Sequence, residues 1–170
     1  RPLAFDGCRV PESNLLGARG MGFKQFLQIL DGGRIGVAAM GVGVAQGALG
    51  EALAYAKERQ AFGKSISKFQ SIQAKLADIS TEIEAARLLT YKAARLKDQG
   101  KNFSLTAAQA KLKTGRLAVR AAEEAVQIHG GYGYIEEYPV CRMYRDAKIL
   151  TIGEGTDEVQ QMVIARALGC

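Results

Sequence analysis

The chain has 170 residues, 48% of them hydrophobic and 24% charged, with 23 basic and 17 acidic side chains for a formal net charge of +6. That apolar content excludes an intrinsically disordered chain and is enough for one domain with a real core. One histidine excludes a His-rich metal site; three cysteines without CxxC spacing argue against zinc or a disulfide framework; and the mild basic excess gives no case for nucleic acid.

The cysteine usage fits a reducing compartment. Tryptophan is absent, aromatic residues are 7% and there are three prolines, which argues against a strand-rich fold. Glycine is abundant, at 20 of 170 residues, against a usual share of ~7%.

Residues 1–20 hold two of the three prolines and a turn run, Val10-Pro11-Glu12-Ser13-Asn14. Leu3, Phe5 and Val10 suit one short strand. A lone strand does not stabilise itself, so it is expected to belong to a sheet lying upstream. The chain opens Arg-Pro-Leu-Ala-Phe with no Met and no targeting peptide, and reads as part of a longer protein.

From Gly20 the period is helical. A first helix is expected over 22–58, carrying Phe26, Ile29, Leu30, Ile35, Val37, Val42, Val44 and Leu49. It also holds Gly32, Gly33, Gly36, Gly41, Gly43, Gly47 and Gly50. Each costs ~1 kcal/mol against Ala in a helix interior, so another backbone or a flat ligand should pack closely there. The longest uncharged run, Ile35–Gly50, is too short and too rich in Gly and Ala for a bilayer span of ~20 residues. A soluble protein of the cytoplasm or an organelle matrix is expected.

Residues 59–65 read as a charged turn. A second helix over 66–99 has apolar steps of three or four from Ile66 through Ile72, Ile79 and Ile83 to Leu96. A third runs over 104–129 and stops at Gly130-Gly131. Pro139 starts a short helix over 139–150. The last helix opens at Thr156 or Asp157, either a suitable cap, and runs to Leu168. These elements predict an all-α, up-and-down four-helix bundle whose paired terminal helices form the fourth layer, with the short N-terminal strand as an outlier. No internal repeat is present.

Glu154 is one carboxylate between two glycines, just before a helix start. A carboxylate that loses solvent becomes a better base near neutral pH, and flanking glycines let a planar substrate approach. A solvated acid ahead of a helix N-terminus is the plainer reading. Gln127-Ile128-His129-Gly130-Gly131-Tyr132-Gly133-Tyr134 either admits a ligand against its backbone or forms a Schellman-type helix end. It is not a GxGxxG loop, since it closes a helix. Arg59, Phe62 and Lys64 suit a phosphate and a flat ring, or a solvated loop. Arg142, Arg145 and Lys148 form a solvated face or a phosphate contact. His129 alone reads as a helix-end residue. No Glu-x-x-His occurs, which excludes a di-iron bundle, and no Ser-His-Asp or Cys-His set assembles.

The chain resembles the C-terminal domain of the acyl-CoA dehydrogenase family over nearly its whole length. Leu30-Asp31-Gly32-Gly33-Arg34 is similar to that family's Asp-x-x-Arg element, and Arg59-Gln60-Ala61-Phe62-Gly63-Lys64 to its Arg-x-x-Phe-Gly turn. Gln127-Ile-x-Gly130-Gly131-x-Gly133-Tyr134 with Glu137, Arg142 and Asp146 fits the family signature. Tyr144 to Lys148, Glu154-Gly155-Thr156 and Ile164-Ala165-Arg166 resemble its catalytic end.

The resemblance implies oxidation of an acyl-CoA thioester to a 2-enoyl-CoA. Glu154 would be the α-proton base of the short- and medium-chain type, with FAD as hydride acceptor. Some relatives carry the base on the long helix just before the Asp-x-x-Arg arginine, where this chain has Gly33. The base's own backbone N–H would help hold the thioester carbonyl. Asp31, Gly32, Gly33, Arg34 and Gly155 would line the acyl-CoA site. Arg59, Phe62, Gln70, Gln127, Ile128, His129, Gly130 and Gly131 would contact FAD, partly from a neighbouring subunit. Thr156, Asp157 and Glu158 would meet it at a helix N-terminus. No metal is implied.

Further expectations are electron transfer flavoprotein as acceptor, a homotetramer built as a dimer of dimers, and a place in fatty acid or amino acid degradation. The compartment would be bacterial cytoplasm or mitochondrial matrix. Residues 1–20 would be the remnant of the family's middle β-domain and a linker, and 21–170 the helical domain, inactive without the rest. Many relatives have Tyr before Glu-Gly-Thr; Gly153 stands here and should widen the acyl pocket for branched or cyclic groups. An acyl-CoA oxidase-type flavoprotein and a non-catalytic helical oligomerisation module are the alternatives.

Overall fold

The computed structural model describes residues 2–170. Among them run five α-helices: α1 (Gly22–Glu58), α2 (Gln70–Asp98), α3 (Ser104–His129), α4 (Pro139–Ala147) and α5 (Asp157–Ala167). An antiparallel hairpin, β1 (Gln60–Ala61) with β2 (Lys64–Ser65), links α1 to α2.

The core is built on small residues. Ala38, Val42, Ala45, Ala48, Ala52 and Ala56 step along one face of α1, and Ala107, Thr114, Ala118, Ala121 and Ala125 along α3. The two helices meet closely where these stripes cross. A Cβ on Gly41 would lie 2.8 Å from Thr114 Cβ and 2.9 Å from its carbonyl oxygen. Bulk comes from Ile79 and Ile83 of α2 and from Leu117, Ile128, Val140 and Leu150. Full burial of one such side chain contributes about 1.5–3 kcal/mol. α3 packs on the other four helices, with α4 and α5 as the fourth layer.

The ends of α1 and α3 fall where the apolar period placed them. Gly100, at φ +65°, closes α2 with a Schellman motif: Lys101 N–H donates to Leu96 O and Gly100 N–H to Lys97 O, both at 2.9 Å. Pro139 opens α4 at its first turn. Thr156 caps α5, its hydroxyl accepting from Val159 N–H at 3.4 Å.

Four expectations need correction. Residues 2–20 contain no strand among the described residues, only a 3₁₀ turn at Glu12–Asn14; Leu3, Phe5 and Val10 are exposed, with no neighbouring strand to complete a ladder. The charged turn at 59–65 is the hairpin, whose central residues Phe62 and Gly63 have φ +50° and +79°, the signature of a type I′ turn. The helix expected from Ile66 begins instead at Gln70. Ser65 donates its hydroxyl to Ala56 O at 2.8 Å and accepts from Ser67 N–H, holding Ile66–Lys68 as a 3₁₀ turn against the end of α1. The helix expected over 139–150 becomes 3₁₀ after Ala147.

The glycine expectation holds only in part. Gly41 meets a backbone, but a Cβ on Gly36, Gly43 or Gly50 would meet nothing within 4 Å. α1 is long and apolar enough to cross a membrane by length and composition alone, yet its stripe is packed on α3 and α2.

Candidate active site and cofactor pocket

The chain between α4 and α5 turns sharply at Glu154 and Gly155, both in the left-handed region at φ +56° and +91°. Such a φ is uncommon for a residue with a side chain. Both carbonyls point at buried donors. Gln160 Nε2 donates to Glu154 O at 3.2 Å and to Gly155 O at 2.9 Å. Lys111 Nζ donates to Gly155 O at 2.6 Å. The N–H groups of Glu154 and Gly155 have no protein acceptor among the described residues.

The half-buried Glu154 side chain lies over α1 at Gly33, where a Cβ would sit 2.6 Å from Oε2. Among the described residues its carboxylate makes no hydrogen bond or ion pair. Arg34, only 6% exposed, pairs with Asp31 at 2.6 Å, and Asp31 also accepts from Ser104 Oγ at 3.1 Å. Arg34 Nε is buried without a partner. Arg34 and Asp31 face an open cleft of about 820 Å³ shared with Lys24, Ser104 and Arg166.

Lys111 is fully buried, and burial pushes its ammonium below the ordinary 10.5, with Asp157 opposing and Arg34 adding to the shift. Asp157 Oδ1 lies 4.0 Å from Lys111 Nζ, and Oδ2 accepts from Arg116 Nε at 2.9 Å. Glu158 is exposed; the Thr156 hydroxyl, foremost, holds its carboxyl below the usual value.

A second cluster lies at the other end of α3. Gly130 adopts φ +61° and ψ −137°, a conformation open to glycine, and Gly130–Tyr134 folds back as a 3₁₀ turn. A Cβ on Gly133 would lie 2.5 Å from Val126 O. His129, 4% exposed, stacks on Tyr55 with ring centroids 4.2 Å apart. Its Nδ1 lies 2.8 Å from Ala125 O; a carbonyl only accepts, so Nδ1 carries a proton. Arg59 lies over the Tyr132 ring at 5.9 Å. Tyr55, Arg59, Ile128, His129, Gly130 and Gly131 contribute to an open pocket of about 500 Å³.

The structure therefore brings Asp31, Gly33, Arg34, Glu154, Gly155 and Asp157 together, and Arg59 with Ile128–Gly131 together. It separates the two groups: Lys111 and His129 stand about 27 Å apart along α3 at roughly 1.5 Å per residue. Gly32 turns toward Lys97, 3.2 Å from a Cβ to Nζ. Phe62, 95% exposed, packs edge-on to Phe69 at the hairpin tip. Gln70 and Gln127 are exposed and outside the pocket.

The sequence reading missed Lys111, Gln160, Ser104 and Tyr55. The available signal was Lys111, one turn beyond Ala107 and one before Gly115, on the small-residue face of α3. Among the described residues no three His, Cys, Asp or Glu side chains gather to hold a metal.

The helical bundle thus carries a carboxylate on a left-handed turn, partner-free among the described residues, at one end and a glycine-lined pocket at the other. The sequence model described as "Acyl-CoA dehydrogenase, C-terminal domain" matches residues 20–169. The chain belongs to that family. It is 57% identical over 166 residues to the probable acyl-CoA dehydrogenase YngJ of Bacillus subtilis (strain 168), covering 98% of this chain and 44% of that protein. Butyryl-CoA dehydrogenase from Megasphaera elsdenii superposes with a TM-score of 0.93 at 56% identity, covering 95% of this chain and 42% of that one. A chain solved in work on the electron transferring flavoprotein of Acidaminococcus fermentans gives a TM-score of 0.95 at 54% identity, covering 96% and 43%. The chain thus spans less than half the length of these relatives. Neither the oxidase nor the oligomerisation alternative is favoured by these matches.

Proposed function

We propose that this chain is the C-terminal domain of an FAD-dependent acyl-CoA dehydrogenase acting on short acyl thioesters, with Glu154 as the base. The observation that carries this is the half-buried Glu154 carboxylate, partner-free among the described residues and held over Gly33 by a left-handed turn. A carboxylate in that state is ready to accept a proton. The thioester's α C–H proton goes to Glu154, the β-hydrogen leaves with its electron pair, and the Cα–Cβ double bond forms. Bound FAD supplies the acceptor for that hydride. The backbone N–H of Glu154, without a protein acceptor among the described residues, donates to the thioester carbonyl and stabilises the charge that develops there.

The residues fit a flavin dinucleotide in two places. Asp157 Oδ1, buried without a hydrogen bond, offers an acceptor at the α5 N-terminus, where N–H groups favour anionic groups, while Arg34 Nε, also without a hydrogen bond, supports Arg34 as a donor at the acyl-CoA site. Arg59, His129 and the Gly130-Gly131 backbone offer a cation, a ring nitrogen and close backbone approach. The distance between these places supports two neighbouring subunits contributing to one cofactor, as in a homotetramer. Electron transfer flavoprotein as the acceptor is supported by the Acidaminococcus fermentans match. The family model begins at residue 20, which supports residues 1–20 as lying outside the helical domain although residues 2–20 hold no strand among the described residues; the bacterial relative supports a cytoplasmic enzyme, with the mitochondrial matrix its eukaryotic counterpart. A Cβ on Gly153 would lie 3.4 Å from Ile149 O, and the absence of a ring at this position supports, through the family resemblance, an acyl pocket wide enough for branched or cyclic groups.

Glu154→Gln in the full-length flavoprotein tests the assignment. Exchange of the butyryl-CoA α-proton with solvent should vanish while flavin absorbance is retained. Exchange at the parent rate would overturn it.

A further inference from the structure

The base is only as good as the turn that aims it, and that turn rests on two side chains from distant parts of the chain. We propose that Lys111, seconded by Gln160, is a positioning residue that locks the Glu154–Gly155 turn and so sets the direction of the Glu154 carboxylate. This deepens the reading of Glu154 as the base and rests on it.

Lys111 is 0% exposed in the middle of α3, with Ala107 and Ala108 one turn before it and Thr114 and Gly115 one turn after. Packing alone would favour an apolar side chain there, because a buried ammonium is costly unless its hydrogens are used. One is used at 2.6 Å on Gly155 O, the residue after the base, and the charge faces Asp157 Oδ1 at 4.0 Å. Gln160, also 0% exposed, reaches the same carbonyl and that of Glu154.

The positive φ of Glu154 needs such support, whereas Gly155 adopts its own freely. With the carbonyls of 154 and 155 held, the peptide planes following Glu154 are fixed, and so is the exit of its side chain toward Gly33. Gly155 completes the arrangement, since a Cβ there would lie 2.8 Å from Gln160 Nε2. Neither Lys111 nor Gln160 hydrogen-bonds the Glu154 carboxylate; Gln160 acts through the backbone, and Lys111 acts through the backbone and through the attraction between its charge and that carboxylate. Lys111 also ties α3 to the first turn of α5, which links the aim of the base to the packing of the bundle.

Lys111→Met in the full-length flavoprotein, with butyryl-CoA as probe, separates positioning from plain structure. The expected result is a fall in kcat for α-proton exchange of about 10- to 100-fold, the scale of a small misplacement, with KM, flavin content and helix content near the parent's. Gln160→Met, which removes the second tie to the turn and leaves the ammonium in place, should lower kcat in the same way with KM unchanged. Parent-like kcat in either variant, or a loss confined to KM, would overturn the proposal. Should Lys111→Met fail to fold or load flavin, Gln160→Met carries the same expectations. Undiminished exchange in Glu154→Gln alone would instead sink the base assignment, whatever Lys111 does.

Discussion

The carboxylate of Glu154 fills the space that a side chain at position 33 would need: a Cβ on Gly33 would lie 2.6 Å from its Oε2 and 3.0 Å from its carboxyl carbon. The turn before α5 and the first half of α1 therefore share one small volume, which either helix residue 33 or the acid at 154 can occupy. Gly33→Ala should separate stability from activity. Alanine in a helix gains about 0.5–1 kcal/mol over glycine, and the opposing atom is the end of a flexible side chain that can swing away. Urea unfolding should show equal or greater stability. The rate of butyryl-CoA α-proton exchange should fall at least about tenfold as the carboxylate is displaced. An active Gly33→Ala enzyme would show that Glu154 does not work from this position.

Gly115 gives the opposite outcome from the same substitution. Its Cβ would meet Leu150 O at 2.6 Å and the Leu150 carbonyl carbon at 3.1 Å, both backbone. Neither yields without moving the segment that leads to Glu154. Gly115→Ala should destabilise by about 1–3 kcal/mol, the usual cost of overpacking, read as a lower urea midpoint with an unchanged slope.

These two glycines mark what the chain's linear pattern can reveal. The bounds of α1 and α3 follow from apolar period and glycine stops, because both are local signals. The need for glycine inside them is visible too, but not which glycines are needed: Gly33, Gly41 and Gly115 oppose atoms distant in sequence, while Gly36 and Gly43 face open space. Glu154 stands out between two glycines, yet its role came from family resemblance. Its supports Lys111 and Gln160 were not legible. Each lies on a different helix, and a lysine within a small-residue stripe looks like a lapse in periodicity. The short hairpin was hidden because Phe62 occupies a left-handed position usually signalled by Asn or Gly.

That position leads to a further prediction. Phe62 holds φ +50° with its ring almost wholly exposed, so the turn carries strain without burying the aromatic surface. Asn adopts the left-handed region more readily. Phe62→Asn should stabilise the hairpin by up to about 1 kcal/mol in urea unfolding. On the proposal that Phe62 contacts the cofactor, flavin release, followed by the loss of its absorbance on dilution, should be faster, because a stacking surface is removed. A variant that is both more stable and equally retentive of flavin would remove Phe62 from the cofactor site.

Lys111 also makes stability depend on pH, with a definite sign. Its folded value lies below 10.5, chiefly because burial penalises the ammonium; Arg34 adds to this, while Asp157, Glu158 and Glu154 oppose it. In the unfolded chain the group returns to its ordinary value. Between the two values unfolding takes up a proton, so stability contributed at this site rises with pH across that window, by at most about 1.4 kcal/mol per pH unit. Below the folded value the penalty is present in full. The comparison that isolates it is parent against Lys111→Met, since tyrosines and other lysines titrate alike in both. The free energy of unfolding of the parent, minus that of the variant, should climb as pH approaches 10.5 and stay level at lower pH. The offset between the proteins is a separate quantity, set by the lost hydrogen bond to Gly155 O against the removed burial penalty. A flat difference across the alkaline range would mean that Lys111 titrates alike in the folded and unfolded chains.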